Sequence, residues 1–167
     1  MLKLISLLLL INTSWAANRT YQAALEENYP NCLADKEIIY LTNEQKSKIE
    51  ELSGAKVLSK IKIKYFNKCN GSAIYIDSHI VRTLNETLLI EIKEGKIEKL
   101  ETISFMEPQE YKSPTKWIAK FLKKQLDEKL RINADIDALS GATLTAVAVT
   151  NASRKILALH QVLNEKK

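Results

Sequence analysis

The chain has 167 residues, 46% of them hydrophobic and 27% charged, with a formal net charge of +5. That length suits one globular domain and leaves no room for two large ones. Four glycines and three prolines exclude a collagen-like or low-complexity chain, and two cysteines exclude a disulfide scaffold or a cysteine-rich metal site.

Residues 1–16 read as a secretory signal peptide. Lys3 supplies a short positive region, Leu4 to Ile11 is apolar apart from Ser6, and Ser14 and Ala16 place small residues before a cut after Ala16. The apolar stretch of about eight residues falls well short of the ~20 that a membrane-spanning helix needs. An uncleaved N-terminal anchor is the alternative. No cysteine follows the apolar stretch closely, which argues against a lipid anchor. The expected location is periplasmic or extracytoplasmic. Removing the peptide leaves 151 residues, with 24 basic side chains against 20 acidic and a net charge of +4. The full chain has 21 lysines and only 4 arginines, scattered rather than gathered on one face, so no nucleic-acid partner is expected. Cys32 and Cys69 can pair in an oxidising compartment, but spacing alone leaves the pairing open. Triplets such as Asn70-Gly71-Ser72 would matter as glycan acceptors only in a eukaryotic secretory pathway, which nothing else in the sequence indicates.

The mature part, residues 17–167, opens with a short helix over Thr20 to Asn28, ended by Pro30, and a strand over Glu37 to Leu41. Thr42 and Gln45 form a capping box for a helix reaching Leu52, with Gly54 in the place of a left-handed C-cap. Lys56 to Phe66 alternates apolar and polar residues as a strand does, with Lys60, Lys62 and Lys64 on a solvated face. Asn70-Gly71 turns the chain into a strand over Ser72 to Asp77. Leu88, Ile90 and Ile92 mark another strand, and Glu94-Gly95 leads into a further one through Ile97, Leu100 and Ile103. Such a meander of about four strands is expected to bury one face. Ser113-Pro114 opens a helix with a stripe of Trp117, Phe121, Leu122 and Leu126. A last helix runs from Thr143 to Leu163 with a clean stripe of Ala146, Val149, Ala152, Ile156, Leu159 and Leu163. The class is α+β: a single domain with helices packed on an antiparallel sheet of about four to five strands.

The run Asp137-Ala138-Leu139-Ser140-Gly141-Ala142-Thr143-Leu144-Thr145 carries the most chemistry. A small-residue loop enters a long helix whose first N–H groups and dipole favour an anion, usually a phosphate. Gly141 permits backbone conformations and close approach that other residues resist. Thr143 and Thr145 add hydroxyls at the same place. The plain alternative is an ordinary helix start, with Ser140 as cap and Asp137 as partner of the dipole.

Asp-x-x-Ser-Gly-Ala-Thr resembles the flavinylation motif of the FMN-binding domain family. That family includes the C subunit of the sodium-pumping NADH:quinone reductase and the G subunit of the Rnf complex. The resemblance implies covalent FMN on Thr143 through a phosphoester, placed there by a flavin transferase that uses FAD. Asp137, Ser140, Gly141 and Ala142 complete the recognition sequence, and Leu144 and Thr145 flank the phosphate. Gly71 to Thr83, Glu86 to Leu89, and Glu107 to Tyr111 with Pro114 and Trp117 are similar to blocks in small stand-alone members, so the likeness covers roughly residues 35–163. Within those blocks His79, Arg82, Glu107 and Tyr111 are further candidates for the cofactor site. Arg82 can hold a phosphate or a carboxylate, or form a surface ion pair, and Tyr111 can line the ring pocket or the core. No metal site is expected, because His160 sits near the far end of the last helix from His79. No nucleophile-base constellation is discernible, so hydrolysis has little support.

The implied protein is an extracytoplasmic flavoprotein that relays electrons between membrane redox proteins and an acceptor. The alternatives are a small flavin-dependent reductase acting on a substrate and a non-redox binding module of the same fold.

Overall fold

The computed structural model describes residues 19–165, so the signal-peptide expectation for residues 1–16 lies outside the described residues. The chain runs α1 (Tyr21–Asn28), β1 (Glu37–Tyr40), α2 (Asn43–Ser53), β2 (Ile61–Phe66), β3 (Ala73–Ile80), β4 (Asn85–Lys93), β5 (Lys96–Phe105), α3 (Thr115–Ile118) and α4 (Thr143–Asn164), with single 3₁₀ turns at Gln109–Tyr111 and Ala119–Phe121. The strands form one sheet in sequence order, each antiparallel to the next. This is the expected α+β domain.

Side-chain alternation explains the layers. On β4, Leu88, Ile90 and Ile92 point to one face and pack with Ile49 of α2, Trp117 of α3 and the α4 stripe from Ala146 to Val162. On the opposite face Leu89 joins Ile74, Ile76 and Ile103 beneath Ala24, Leu25 and Tyr29 of the α1 segment. Both faces are therefore covered, contrary to the expected one-sided burial. The short N-terminal helix closes the second face. Thr20 caps it by accepting the Ala23 N–H at 3.2 Å.

Polar anchors hold that second layer. Glu91 projects into it and is 5% exposed. Its carboxylate accepts from Tyr29 Oη at 2.9 Å, Asn67 Nδ2 at 3.2 Å, Asn70 Nδ2 at 2.9 Å and the Ser72 hydroxyl. Burial works to raise its pKa, but those hydrogen bonds, from Asn70 first, hold it below the ordinary glutamate value. Beside this cluster Cys32 and Cys69 form a disulfide with Cα atoms 5.3 Å apart.

Three local expectations need correction. The helix expected through Leu126 ends at Ile118 and tightens into the 3₁₀ turn, leaving Leu122 41% exposed. Lys123 adopts φ 63° and its N–H bonds to the Ile97 carbonyl at 2.7 Å, while the Ile97 N–H bonds to Lys124 at 2.9 Å. The segment thus leaves the helix to pair with the start of β5. Likewise β2 begins at Ile61 rather than Lys56. Lys62 is not on a solvated face: its ammonium lies 3.4 Å from the buried Asp77 carboxylate. The capping box of Thr42 and Gln45 and the left-handed Gly54 that ends α2 are formed as expected.

Candidate functional site

The loop before α4 is tied down by its backbone. The Ala142 N–H bonds to the Leu139 carbonyl at 3.1 Å, and the Trp117 indole donates to the Asp137 carbonyl at 2.8 Å. Between them Gly141 turns the chain with φ 77°. A Cβ there would meet nothing within 4 Å, so the left-handed conformation rather than crowding favours glycine. Ala142 stands at the cap position of α4 with no side-chain cap bond, so Ser140 does not cap the helix. Among the described residues no side-chain oxygen caps the first-turn N–H groups at this positive dipole end.

A cavity of about 280 Å³ opens at this helix start, lined by Val81, Arg82, Glu107, Tyr111 and the run Gly141, Ala142, Thr143, Leu144 and Thr145. Three segments distant in sequence meet here: the β3–β4 connection, the chain after β5 and the first turn of α4. Thr143 is exposed at the opening residue of the helix. Thr145 is 1% exposed, and its hydroxyl donates to the Tyr111 carbonyl at 2.7 Å, fastening the first turn of α4 to the 3₁₀ turn. Leu144, 54% exposed, and Val81 supply apolar wall.

Glu107 is 6% exposed, and its Oε1 accepts the backbone N–H groups of Arg82, Thr83 and Leu84 at 3.2, 2.6 and 2.8 Å. These bonds, that of Thr83 foremost, hold its carboxyl below the ordinary glutamate pKa. The Arg82 side chain is exposed at the cavity and, among the described residues, has no carboxylate partner.

The other candidates lie elsewhere. Asp137 pairs through its carboxylate with Lys120 and, like Ser140, is not among the lining residues. His79 lies under α4, with Nδ1 3.1 Å from Asp77 and Nε2 3.2 Å from Glu86. Its partners and their neighbours Lys62 and Lys155 form a buried charge cluster, and it does not line the cavity. Val81 was missed as a lining residue, although its place between His79 and Arg82 marked it. The anchoring of the motif loop by Trp117 and Lys120 carries no signature in sequence, because each acts from a separate element.

The family model described as the FMN-binding domain matches residues 85–158, from the first residue of β4 into α4. The chain thus contains a domain of the FMN-binding domain family. It is a flavin-binding protein, with FMN as the flavin that the family binds. No curated protein and no solved structure matches it. The matched span takes in Glu107, Tyr111 and the whole loop from Asp137 to Thr145, but stops short of Val81 and Arg82.

The cavity fits part of such a ligand. An uncapped helix start and a guanidinium suit a phosphate, and Leu144, Val81 and Tyr111 suit an apolar ring. Its volume lies at the lower edge of small-molecule pockets, roughly 300–1,000 Å³, so much of a flavin nucleotide would extend beyond it.

Proposed function

We propose that this protein carries FMN covalently on Thr143 and relays electrons outside the cytoplasm. The observation that carries the reading is the position of Thr143. Its exposed side chain stands at the first residue of α4, on a cavity that also holds Arg82 and the uncapped helix end. A flavin transferase would transfer the FMN moiety of FAD to the Thr143 hydroxyl, forming the phosphoester and releasing AMP, with the hydroxyl proton passing to solvent.

The chain's residues divide the remaining work. The N–H groups at the start of α4 hold the phosphate. Gly141 gives the loop its left-handed turn, and Thr145 locks the helix start to Tyr111. Val81, Leu144 and Tyr111 give the ring apolar contact. Bound flavin supplies one- or two-electron redox chemistry, which the protein tunes by position and local charge. An open site with an exposed rim suits electron exchange with another protein better than enclosure of a small substrate. The Cys32–Cys69 disulfide supports the extracytoplasmic reading, since such bonds persist in oxidising compartments. Membrane electron carriers are the partners this reading requires.

Coexpression with a flavin transferase, followed by intact-mass spectrometry, tests the proposal. Wild type should gain one FMN phosphoester and Thr143→Ala none. Unmodified wild type would refute it. Reduction and reoxidation of the loaded protein by membrane electron carriers, with no turnover of small substrates, is the expected signature of a relay.

A further inference from the structure

We infer that Arg82 is the counter-charge for the phosphate of the bound flavin nucleotide, and that Glu107 is the residue that positions it. The inference rests on the Thr143 reading above and names the groups that would complete that site.

The β3–β4 connection closes on itself, with the Val81 N–H bonded to the Leu84 carbonyl at 3.1 Å. Inside this turn three successive amides, those of Arg82, Thr83 and Leu84, converge on one carboxylate oxygen, Glu107 Oε1. The Thr83 hydroxyl adds a fourth contact at 3.4 Å. Consecutive N–H groups arranged in this way form an anion-binding concavity. Here the chain's own carboxylate fills it. The amides are therefore engaged with Glu107, and what the connection offers the cavity is the Arg82 side chain.

Charge at the cavity then sorts simply. Glu107 is offset by the amides it holds. Arg82 is the single cation among the described lining residues, and no carboxylate of the described residues pairs with it. A phosphodiester carries one negative charge, which one guanidinium matches with two donors in a planar fork. The helix end and Arg82, which line the same cavity, would both donate to the phosphate. Glu107 does not touch the phosphate in this arrangement; it acts by fixing the backbone from which Arg82 projects.

The test uses protein coexpressed with a flavin transferase, loading being read by intact mass and the phosphodiester environment by phosphorus NMR. Wild type should give a resonance displaced from that of a free flavin phosphodiester. Arg82→Ala should move it towards the free position, and Arg82→Lys should recover part of the displacement. Glu107→Ala should move it as Arg82→Ala does, and the double variant no further, because Glu107 acts through Arg82. Glu107→Gln, which keeps an acceptor oxygen, should stay near wild type while thermal unfolding reports any structural cost. If folded Arg82→Ala takes up no flavin while Arg82→Lys does, the charge is needed at loading, which also supports the assignment. Loaded Arg82→Ala with the wild-type resonance overturns it. Wild type that takes up no flavin refutes the Thr143 reading instead, so the two failures are distinguishable.

Discussion

Each ring nitrogen of His79 faces a carboxylate, Asp77 on its own strand and Glu86 on β4. A neutral imidazole has one N–H and can satisfy only one of them as donor. Lys62 from β2 and Lys155 from α4 approach Asp77 from the other elements, and Thr102 of β5 donates to Glu86 at 3.0 Å. Burial works against a charged ring, yet the hydrogen bonds to Asp77 and Glu86 hold the His79 pKa above its ordinary value. Burial likewise opposes the Asp77 carboxylate, but His79, Lys155 and Lys62 hold its pKa below the usual range. A raised histidine pKa stabilises the fold fully below the unfolded value of about 6.5, and that stability is lost as pH rises through the folded pKa. A depressed aspartate pKa stabilises above about 3.9 and is lost as pH falls through the folded pKa. The stability that wild type holds over His79→Gln in urea unfolding should therefore peak between about pH 4 and 6.5 and shrink at higher pH. A difference independent of pH would contradict this. Thr145 gives a second residue-scale test. Replacing it with valine leaves the Tyr111 carbonyl without its hydroxyl donor and should cost about 1 kcal/mol in unfolding free energy.

At the scale of elements, α4 organises the domain because its start and its middle are fastened to other segments. Its start is tied to the 3₁₀ turn through Thr145. Farther along, Arg154 is 5% exposed, and its guanidinium donates to the carbonyls of Ser53 at 2.6 Å, Asp127 at 2.6 Å and Leu130 at 3.2 Å. Those acceptors include the C-terminal end of α2, where a cation complements the helix dipole. Arg154→Leu would leave buried carbonyls unpaired, and denaturant unfolding should register a loss of about 2–4 kcal/mol. The capping box of α2 is more local. Thr42→Ala should cost about 1 kcal/mol and leave flavin loading unchanged, since α2 contributes nothing to the cavity.

For the whole molecule, the sheet is sandwiched, and the thinner layer depends on staples. α1 is eight residues long and buries Ala24 and Leu25, little apolar area for a helix that must stay docked. The Cys32–Cys69 bridge and the Glu91 cluster supply the rest. The bridge closes a separation of 37 residues. By the loop-entropy relation, removing it with a double Cys→Ser variant should cost about 3–4 kcal/mol. Equilibrium unfolding of the variant against wild type checks this. A loss near zero would mean that the Glu91 cluster alone secures the layer. Among the described residues no helix is long and apolar enough to cross a membrane.

Local patterns were legible in the sequence because local physics sets them. The capping box of α2, the strand meander, the α4 stripe and the loop around Thr143 each involve residues a few positions apart, where periodicity and turn chemistry dominate. What the tertiary structure alone decided involves partners far apart in the chain. The second buried face depends on α1 returning to the sheet. The early end of α3 depends on Lys123 meeting Ile97. The disulfide depends on two loops coming within reach. The assembly of Arg82, Glu107 and Tyr111 around Thr143, with His79 and Asp137 turned to other partners, depends on three connections converging at one helix end. Spacing along a chain constrains neighbours within a turn or a hairpin. It does not determine which distant side chains meet, because that follows from how the whole set of apolar faces is buried at once.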